Sequence, residues 1–201
     1  MGTRTRSAAL RIFALVALAA LAGSPALAQS WGAGASAGAV NDVSRRLSVD
    51  EFHSQDWNGW VQFELDDRVQ LRGTYGSLRT RAAESGQPGN DSSGGPLIVP
   101  VLTSHVDYGT LGVSYEFFEG DFTSGLFAGI GVYKVRPNAA PPGFENFTDP
   151  RRTVFGWHVG TDAAVRIVSR LSLVGRLTLH RFKAGTGRSI LTTDAGFLIR
   201  F

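Results

Sequence analysis

The sequence contains no cysteine, and its single methionine is Met1. Disulfide bridges and thiolate metal sites are therefore excluded. After Gln29 there is also no apolar run of the about 20 residues that a membrane-spanning helix needs. P-loop, GxSxG, HExxH and EF-hand patterns are absent. The four histidines are too dispersed along the chain to indicate a metal site: His53, His105, His158 and His180. We predict no cofactor and no bound metal.

The first 28 residues have the pattern of an export signal. Three arginines precede an apolar run at residues 12–21, and Ala26–Ala28 supplies a small-residue cleavage motif. The run is too short for a comfortable membrane-spanning helix. We predict a signal peptide at residues 1–28, removed on export, and one mature domain at residues 29–201.

The excess of positive charge is confined to that signal. The whole chain has 20 Lys+Arg against 17 Asp+Glu and a pI near 9.7. Residues 1–28 contain three arginines and no acid, so the mature domain has 17 bases (20 − 3) and 17 acids. A neutral domain gives no reason to predict a nucleic-acid partner.

Eight segments of the mature domain alternate apolar and polar residues. Successive side chains of a β-strand point to opposite faces, so each segment predicts a strand with one apolar face. The predicted strands span residues 31–40, 56–65, 69–78, 105–117, 122–135, 153–167, 171–182 and 189–201. Short turns alternate with long loops at 41–55, 79–104 and 136–152, and a modest Gly-rich loop is predicted at 183–188. An even strand number with this alternation predicts an all-β, eight-stranded antiparallel up-and-down transmembrane barrel.

The polar faces of these strands collect four acids and four bases. An eight-stranded barrel is only wide enough for side chains to fill, and an unpaired buried charge costs several kcal/mol. We therefore predict a network of ion pairs in the lumen, formed by Glu64, Arg72, Glu116, Asp162, Arg166, Arg176, Asp194 and Arg200. The alternative is a soluble barrel with these charges on its surface and an apolar ligand cavity. The apolar faces carry aromatic residues near the strand ends, as in the aromatic girdles of membrane barrels: Trp31, Trp57, Tyr75, Tyr115, Phe117, Trp157 and Phe201.

The segment Asp194–Phe201 has a polar residue, a glycine, an apolar residue and a terminal aromatic residue at fixed spacing. It resembles the C-terminal assembly signal of bacterial outer-membrane β-barrels, with Gly196, Ile199 and Phe201 at the specified positions. Over residues 29–201 the chain resembles the small OmpA/OmpX-type barrels. The resemblance implies a monomer in the cell outer membrane. It also implies contact with outer-membrane lipid and lipopolysaccharide, and recognition by the barrel assembly machinery during biogenesis.

The predicted role is structural, or an interaction at the cell surface through the long loops, and not enzymatic. Two alternatives stay open. Lipid A deacylases are also eight-stranded barrels with a His-x-Ser-Asn motif, but in His180–Lys183 the nucleophile position is occupied by Phe182, which has no hydroxyl. Glycines in strands 4 to 6 are compatible with a narrow pore for small solutes.

Four basic residues lie at the loop-side ends of predicted strands: Arg79, Lys134, Arg136 and Arg181. Cations at the loop-side ends of membrane-spanning strands can form charge-assisted contacts with lipid phosphates. We therefore predict that they contact lipopolysaccharide, with a merely solvated rim as the alternative. The sequence names no partner for the loops.

Overall fold

The computed structural model describes residues 30–43, 54–82, 102–118, 120–137, 152–184 and 186–201. They form eight strands, and no helix in these ranges could span a membrane. The strands are β1 Trp31–Asp42, β2 Ser54–Asp66, β3 Val69–Ala82, β4 Leu102–Phe118, β5 Phe122–Pro137, β6 Arg152–Val168, β7 Leu171–Ala184 and β8 Thr186–Arg200. Each strand pairs antiparallel with its neighbours in sequence, and β8 pairs with β1 to close the barrel. The predicted fold class is confirmed. The predicted signal peptide and most of the three long loops lie outside the described residues.

The strand register requires the strands to tilt. From Ala37 on β1, successive partners through β2, β3 and β4 lead to Lys134 on β5. In the other direction, partners through β8, β7 and β6 lead to Ser124 on the same strand, ten residues away (134 − 124). A closed barrel with such a stagger has strands inclined by about 35–45° to its axis. Inclined strands cross a bilayer in about 9–11 residues, so strands of 12 to 17 residues extend beyond it.

The strands are longer at the loop end than the alternation predicted. β3 and β4 remain paired as far as Ala82 and Leu102. The predicted loop at 183–188 is wrong, because β7 and β8 continue through it and pair up to Ala184 and Thr186. The last hairpin therefore ends in a tight connection.

The outer surface carries a belt of exposed large apolar side chains on β2 and on β4 to β8, including Leu111, Ile130, Leu173 and Phe197. The outward residues of β1 after Trp31 are small alanines. An exposed apolar area of this kind marks a contact surface. Aromatic residues are found at both edges of the belt. Trp31 and Phe201 stack at the turn end, with ring centroids 4.1 Å apart. Trp57 and Tyr75 form an edge-on pair, 5.9 Å apart, nearer the loop end. The belt has the arrangement of a lipid-facing surface.

The interior is filled by side chains in layers. Near the loop end an apolar layer is formed by Val40, Leu78, Val106, Tyr108, Tyr133, Val135, Phe182 and Ile190. Nearer the turn end a second apolar cluster is formed by Trp60, Ala164, Val174 and Leu198. Polar and charged residues lie between these layers, and we call this region the central chamber. The barrel therefore has a polar centre with apolar packing on both sides of it.

Candidate functional site

Two ion pairs connect strands that are not neighbours in the barrel. Arg72 on β3 donates to Asp162 on β6 at 2.6 Å, and both side chains are largely buried. Arg200 on β8 donates to Glu116 on β4 at 3.0 Å, closer to the turn end. Gln70 also donates to Glu116, at 2.8 Å. These contacts cross the interior and link opposite walls.

Arg176 lies in the central chamber without a carboxylate contact among the described residues. Its Nη1 atom donates to Asn58 Oδ1 at 2.9 Å, and its guanidinium stacks on the Trp60 ring, 3.7 Å from the ring centroid. Asn58 in turn donates to Asp194 Oδ2 at 3.3 Å. The amide of Asn58 therefore stands between the base and the acid, and the cation–π contact contributes to holding the guanidinium.

The remaining two members of the predicted lumen network lie close to the turn end. Glu64 is partly buried and accepts a hydrogen bond from Ser30. Arg166 does not belong in the interior, which corrects the prediction. It is exposed, and its guanidinium lies 3.5 Å from Asp121 in the β4–β5 turn. Arg166 still pairs with the buried Ser172, but it lies at the end of β6 beside the turn, where the neighbouring residues are exposed as well.

Several interior residues were not in the predicted network. Asp56, Asn58, Gln62 and Gln70 are all nearly inaccessible. They occupy the inward positions of β2 and β3, and the alternation of these strands was enough to identify Asn58, Gln62 and Gln70 as inward-facing. Asp56 was missed because it begins the predicted strand, where the direction of a side chain is least certain.

His158 and His180 are adjacent, although the sequence suggested that the histidines are dispersed. They are direct partners on β6 and β7, with ring centroids 5.9 Å apart. His180 Nδ1 lies 3.1 Å from the Tyr133 hydroxyl. Among the described residues, no group of three or more potential ligands could hold a metal ion.

The enzyme alternative depended on His180 and its neighbours. His180 is 2% exposed and Phe182 is 3% exposed, and both point into the barrel. An acyl chain in the bilayer would lie against the outer surface, so His180 has no access to it. The buried position of His180 and the missing hydroxyl at Phe182 both argue against deacylation.

The four predicted rim cations lie near the loop ends of their strands, and Arg181 is the direct partner of the exposed Trp157. Arg79, Lys134 and Arg181 are exposed. Arg136 is partly exposed and forms an ion pair with Asp107 on β4. His105 lies between Arg79 and Arg136 in the strand register, which the sequence alone did not reveal. These residues form a basic rim that covers β3 to β5 and continues at β7.

The C-terminal residues close the barrel. β8 pairs with β1 from Arg200 to Ile190, and the Phe201 amide donates to the Trp31 carbonyl at 2.8 Å. Gly196 faces inward against Ser36, where a Cβ atom would lie 2.6 Å from its Cα atom. Ile199 and Phe201 point outward and are exposed, as the alternation predicted.

No family model matches the chain, and no curated protein matches it by sequence. Solved structures do match it. The N-terminal β-barrel domain of OprF from Pseudomonas aeruginosa is 13% identical, with a TM-score of 0.53, over 86% of this chain and 97% of that one. Neisserial surface protein A is 11% identical, with a TM-score of 0.57, over the same shares. A major outer membrane protein from Thermus thermophilus is 14% identical, with a TM-score of 0.56, over 87% and 100%.

At such low identity these matches establish the fold alone. The chain has the fold of the small eight-stranded outer-membrane β-barrels, which the sequence pattern predicted.

Proposed function

We propose that this protein is an integral outer-membrane barrel with a closed interior, which serves as a structural scaffold and presents its long loops at the cell surface. The observation that carries the proposal is the combination of an outer belt of exposed apolar side chains with an interior that buries many polar and charged side chains, among them Arg72, Arg176 and Asp194. A soluble ligand-binding barrel would have the opposite polarity. Loops on a rigid framework are where binding functions commonly lie.

Membrane integration can be tested by fractionation and gel mobility. The full chain, expressed with its own N-terminal segment, should be found in the outer-membrane fraction. Unheated samples should migrate differently from boiled samples, because a closed barrel resists detergent until it is heated. Recovery in the soluble periplasmic fraction, with the same mobility before and after boiling, would contradict the proposal.

The proposal includes a monomer that is assembled by the outer-membrane barrel assembly machinery. Its C-terminal segment, with Gly196, Ile199 and Phe201, supplies the signal. The described strands support a monomer because the barrel closes within one chain, so no sheet edge stays open for a second copy.

We also propose that the basic rim contacts the phosphates of lipopolysaccharide. It contains Arg79, Lys134, Arg136 and Arg181, which lie near the loop ends of their strands next to the apolar belt, where we expect the outer lipid headgroups. Guanidinium and ammonium groups form charge-assisted hydrogen bonds with phosphate oxygens. Arg136 is already paired with Asp107, so we expect the other three to contribute more.

Replacing Arg79, Lys134 and Arg181 with Gln should reduce the lipopolysaccharide that co-purifies with the barrel, measured per mole of folded protein. The matched control replaces Arg68, Arg166 and Arg170, at the turn end, with Gln. Equal co-purification by the two triple variants would show that the loop-side position of the cations is irrelevant, and the contact would then be abandoned.

A further inference from the structure

Three basic side chains lie in one row across the loop ends of β3, β4 and β5. His105 on β4 is the direct partner of Arg79 on β3 and of Arg136 on β5. Each of the three follows a buried residue of its own strand, so all three point away from the interior. Neighbouring strands are about 4.8 Å apart, and the row therefore spans about 10 Å of the outer surface, with the imidazole in the middle.

The surroundings of His105 are mainly basic. The next outward residue of β4 is Asp107, which has Lys134 of β5 as its direct partner. Asp107 also forms an ion pair with Arg136. Arg81 lies two positions beyond Arg79 on β3. Among the described residues, the charged groups nearest to His105 on β3, β4 and β5 are therefore four bases and one acid: Arg79, Arg81, Lys134, Arg136 and Asp107.

This environment keeps the imidazole uncharged at neutral pH. Partial burial and the positive charges of Arg79 and Arg136 lower the pKa of His105 below its ordinary value of 6.5. An anion bound on the row places a negative charge beside the ring, which acts on the pKa in the opposite direction. Binding of the anion and protonation of His105 therefore favour each other. The protonated ring also has two N–H donors instead of one.

We propose that Arg79, His105 and Arg136 bind one phosphate group of lipopolysaccharide and take up a proton on His105 as they do so, a refinement that rests on the lipopolysaccharide contact proposed above. The two arginines are charged at any relevant pH and attract the phosphate from both sides. Asp107 contacts Arg136 through Nη2, and a guanidinium has five N–H donors, so Arg136 retains donors for the phosphate. His105 makes the contact tighter as the pH falls.

The coupling can be measured by NMR titration of the histidine ring signals in the full chain, folded into micelles of an uncharged detergent. The signal of His105 is the one that disappears in His105→Gln. Added lipopolysaccharide should raise the measured pKa of His105 by about 1, which corresponds to about tenfold tighter binding to the protonated form. Arg79→Gln should reduce this rise. His158 and His180 are internal references, because both are buried in the interior and cannot contact the lipid.

A lipid surface rich in phosphate raises the pKa of any imidazole close to it, so a matched control is needed. Thr153→His places a second ring at an exposed position of β6 near the loop end, opposite Lys134 and without an arginine on each side. The pKa of this ring should rise by less than half as much as that of His105. Equal rises would show that only the surface potential acts, and the proposal would fail.

Inorganic sulfate distinguishes the two sources of a tetrahedral oxyanion. Sulfate stays fully charged over the whole titration, whereas a phosphate monoester itself titrates near pH 6. A rise with lipopolysaccharide that exceeds the rise with sulfate at equal concentration supports the lipid as ligand, and equal rises would overturn that assignment. If the pKa of His105 responds to neither, proton coupling is excluded. Loss of co-purified lipopolysaccharide in the triple rim variant would then still support the contact itself.

Discussion

At the scale of single residues, the interior is organised by partners that are far apart in the chain. Arg72 and Asp162 are 90 residues apart and belong to β3 and β6, which do not pair with each other. Arg72 also donates to Gln62 at 3.3 Å, and Gln62 accepts from the Trp60 ring nitrogen at 3.2 Å. One guanidinium thus connects an acid on the opposite wall with an amide on its own side.

Arg72→Met should destabilise the folded barrel by about 3–5 kcal/mol, because it leaves the Asp162 carboxylate buried without its partner. The free energy of unfolding can be measured by urea titration in lipid vesicles. Arg166→Met is the matched control. It removes an exposed arginine from an ion pair with Asp121, and its effect should stay within about 1 kcal/mol. Similar losses in both variants would contradict the view that burial makes the Arg72 contact important.

Alternation alone was sufficient to predict that Arg72, Asp162, Arg176 and Asp194 point inward. It could not predict their partners, since partners across a barrel depend on the stagger of the strands, which no local pattern contains. Arg166 shows a different limit. It keeps the register of an inward position, opposite Ser172, but it lies at the turn end of the barrel, and alternation does not tell how far the enclosed interior extends along a strand.

At the scale of strands, interior aromatic rings pack on glycines of the neighbouring strand. Phe127 on β5 lies over its partner Gly160 on β6, where a Cβ atom would be 2.5 Å from Phe127 Cζ. Tyr108 lies over its partner Gly76 in the same way. The inward glycines therefore make room for rings, which explains why the chain contains so many of them without an open channel.

Gly160→Val should destabilise the barrel by about 1–3 kcal/mol, because the added atoms overlap the Phe127 ring and neighbouring backbone. Gly175→Val on β7 is the matched control. A Cβ atom at Gly175 meets nothing within 4 Å, so the change should be within about 0.5 kcal/mol. Equal urea midpoints for the two variants would show that the glycine is not needed for ring packing.

Phe201 stacks on Trp31 and is also the last residue of the proposed assembly signal, and two variants can separate these roles. Phe201→Ser should accumulate poorly in the outer membrane of cells, measured as heat-modifiable protein per cell. Trp31→Ser removes the same stacking contact from the other side but leaves the proposed C-terminal assembly signal intact. If assembly in cells fell equally in both variants, the stack and not the terminal signal would be responsible.

At the scale of the whole molecule, the two apolar layers determine permeability. Leu78, Val106, Val135 and Ile190 near the loop end are all inaccessible, so within the described residues no water-sized gap adjoins these side chains. The purified protein should show no steady conductance in planar bilayers. Leu78→Ser with Ile190→Ser should introduce brief openings. Steady conductance of the unmodified barrel would favour the narrow-pore alternative instead.

The overall architecture was predictable because lipid imposes a simple rule on each strand. Outward residues such as Leu111, Val113 and Leu173 must be apolar over the width of the belt, and this gives a regular alternation. Beyond the belt the rule no longer applies. The added length of β3 and β4, and the continuation of β7 and β8 to Ala184 and Thr186, were therefore not visible in the pattern.

The pairing of β8 with β1 has a consequence for the order of folding. These are the first and the last of the described strands, and their register runs from Gly32–Arg200 to Asp42–Ile190. The barrel can therefore close only after all eight strands have been synthesised, so the seam is a contact between residues that lie far apart in the chain. Contacts of this kind are slow to form, and we expect closure of the seam to be a late step in folding.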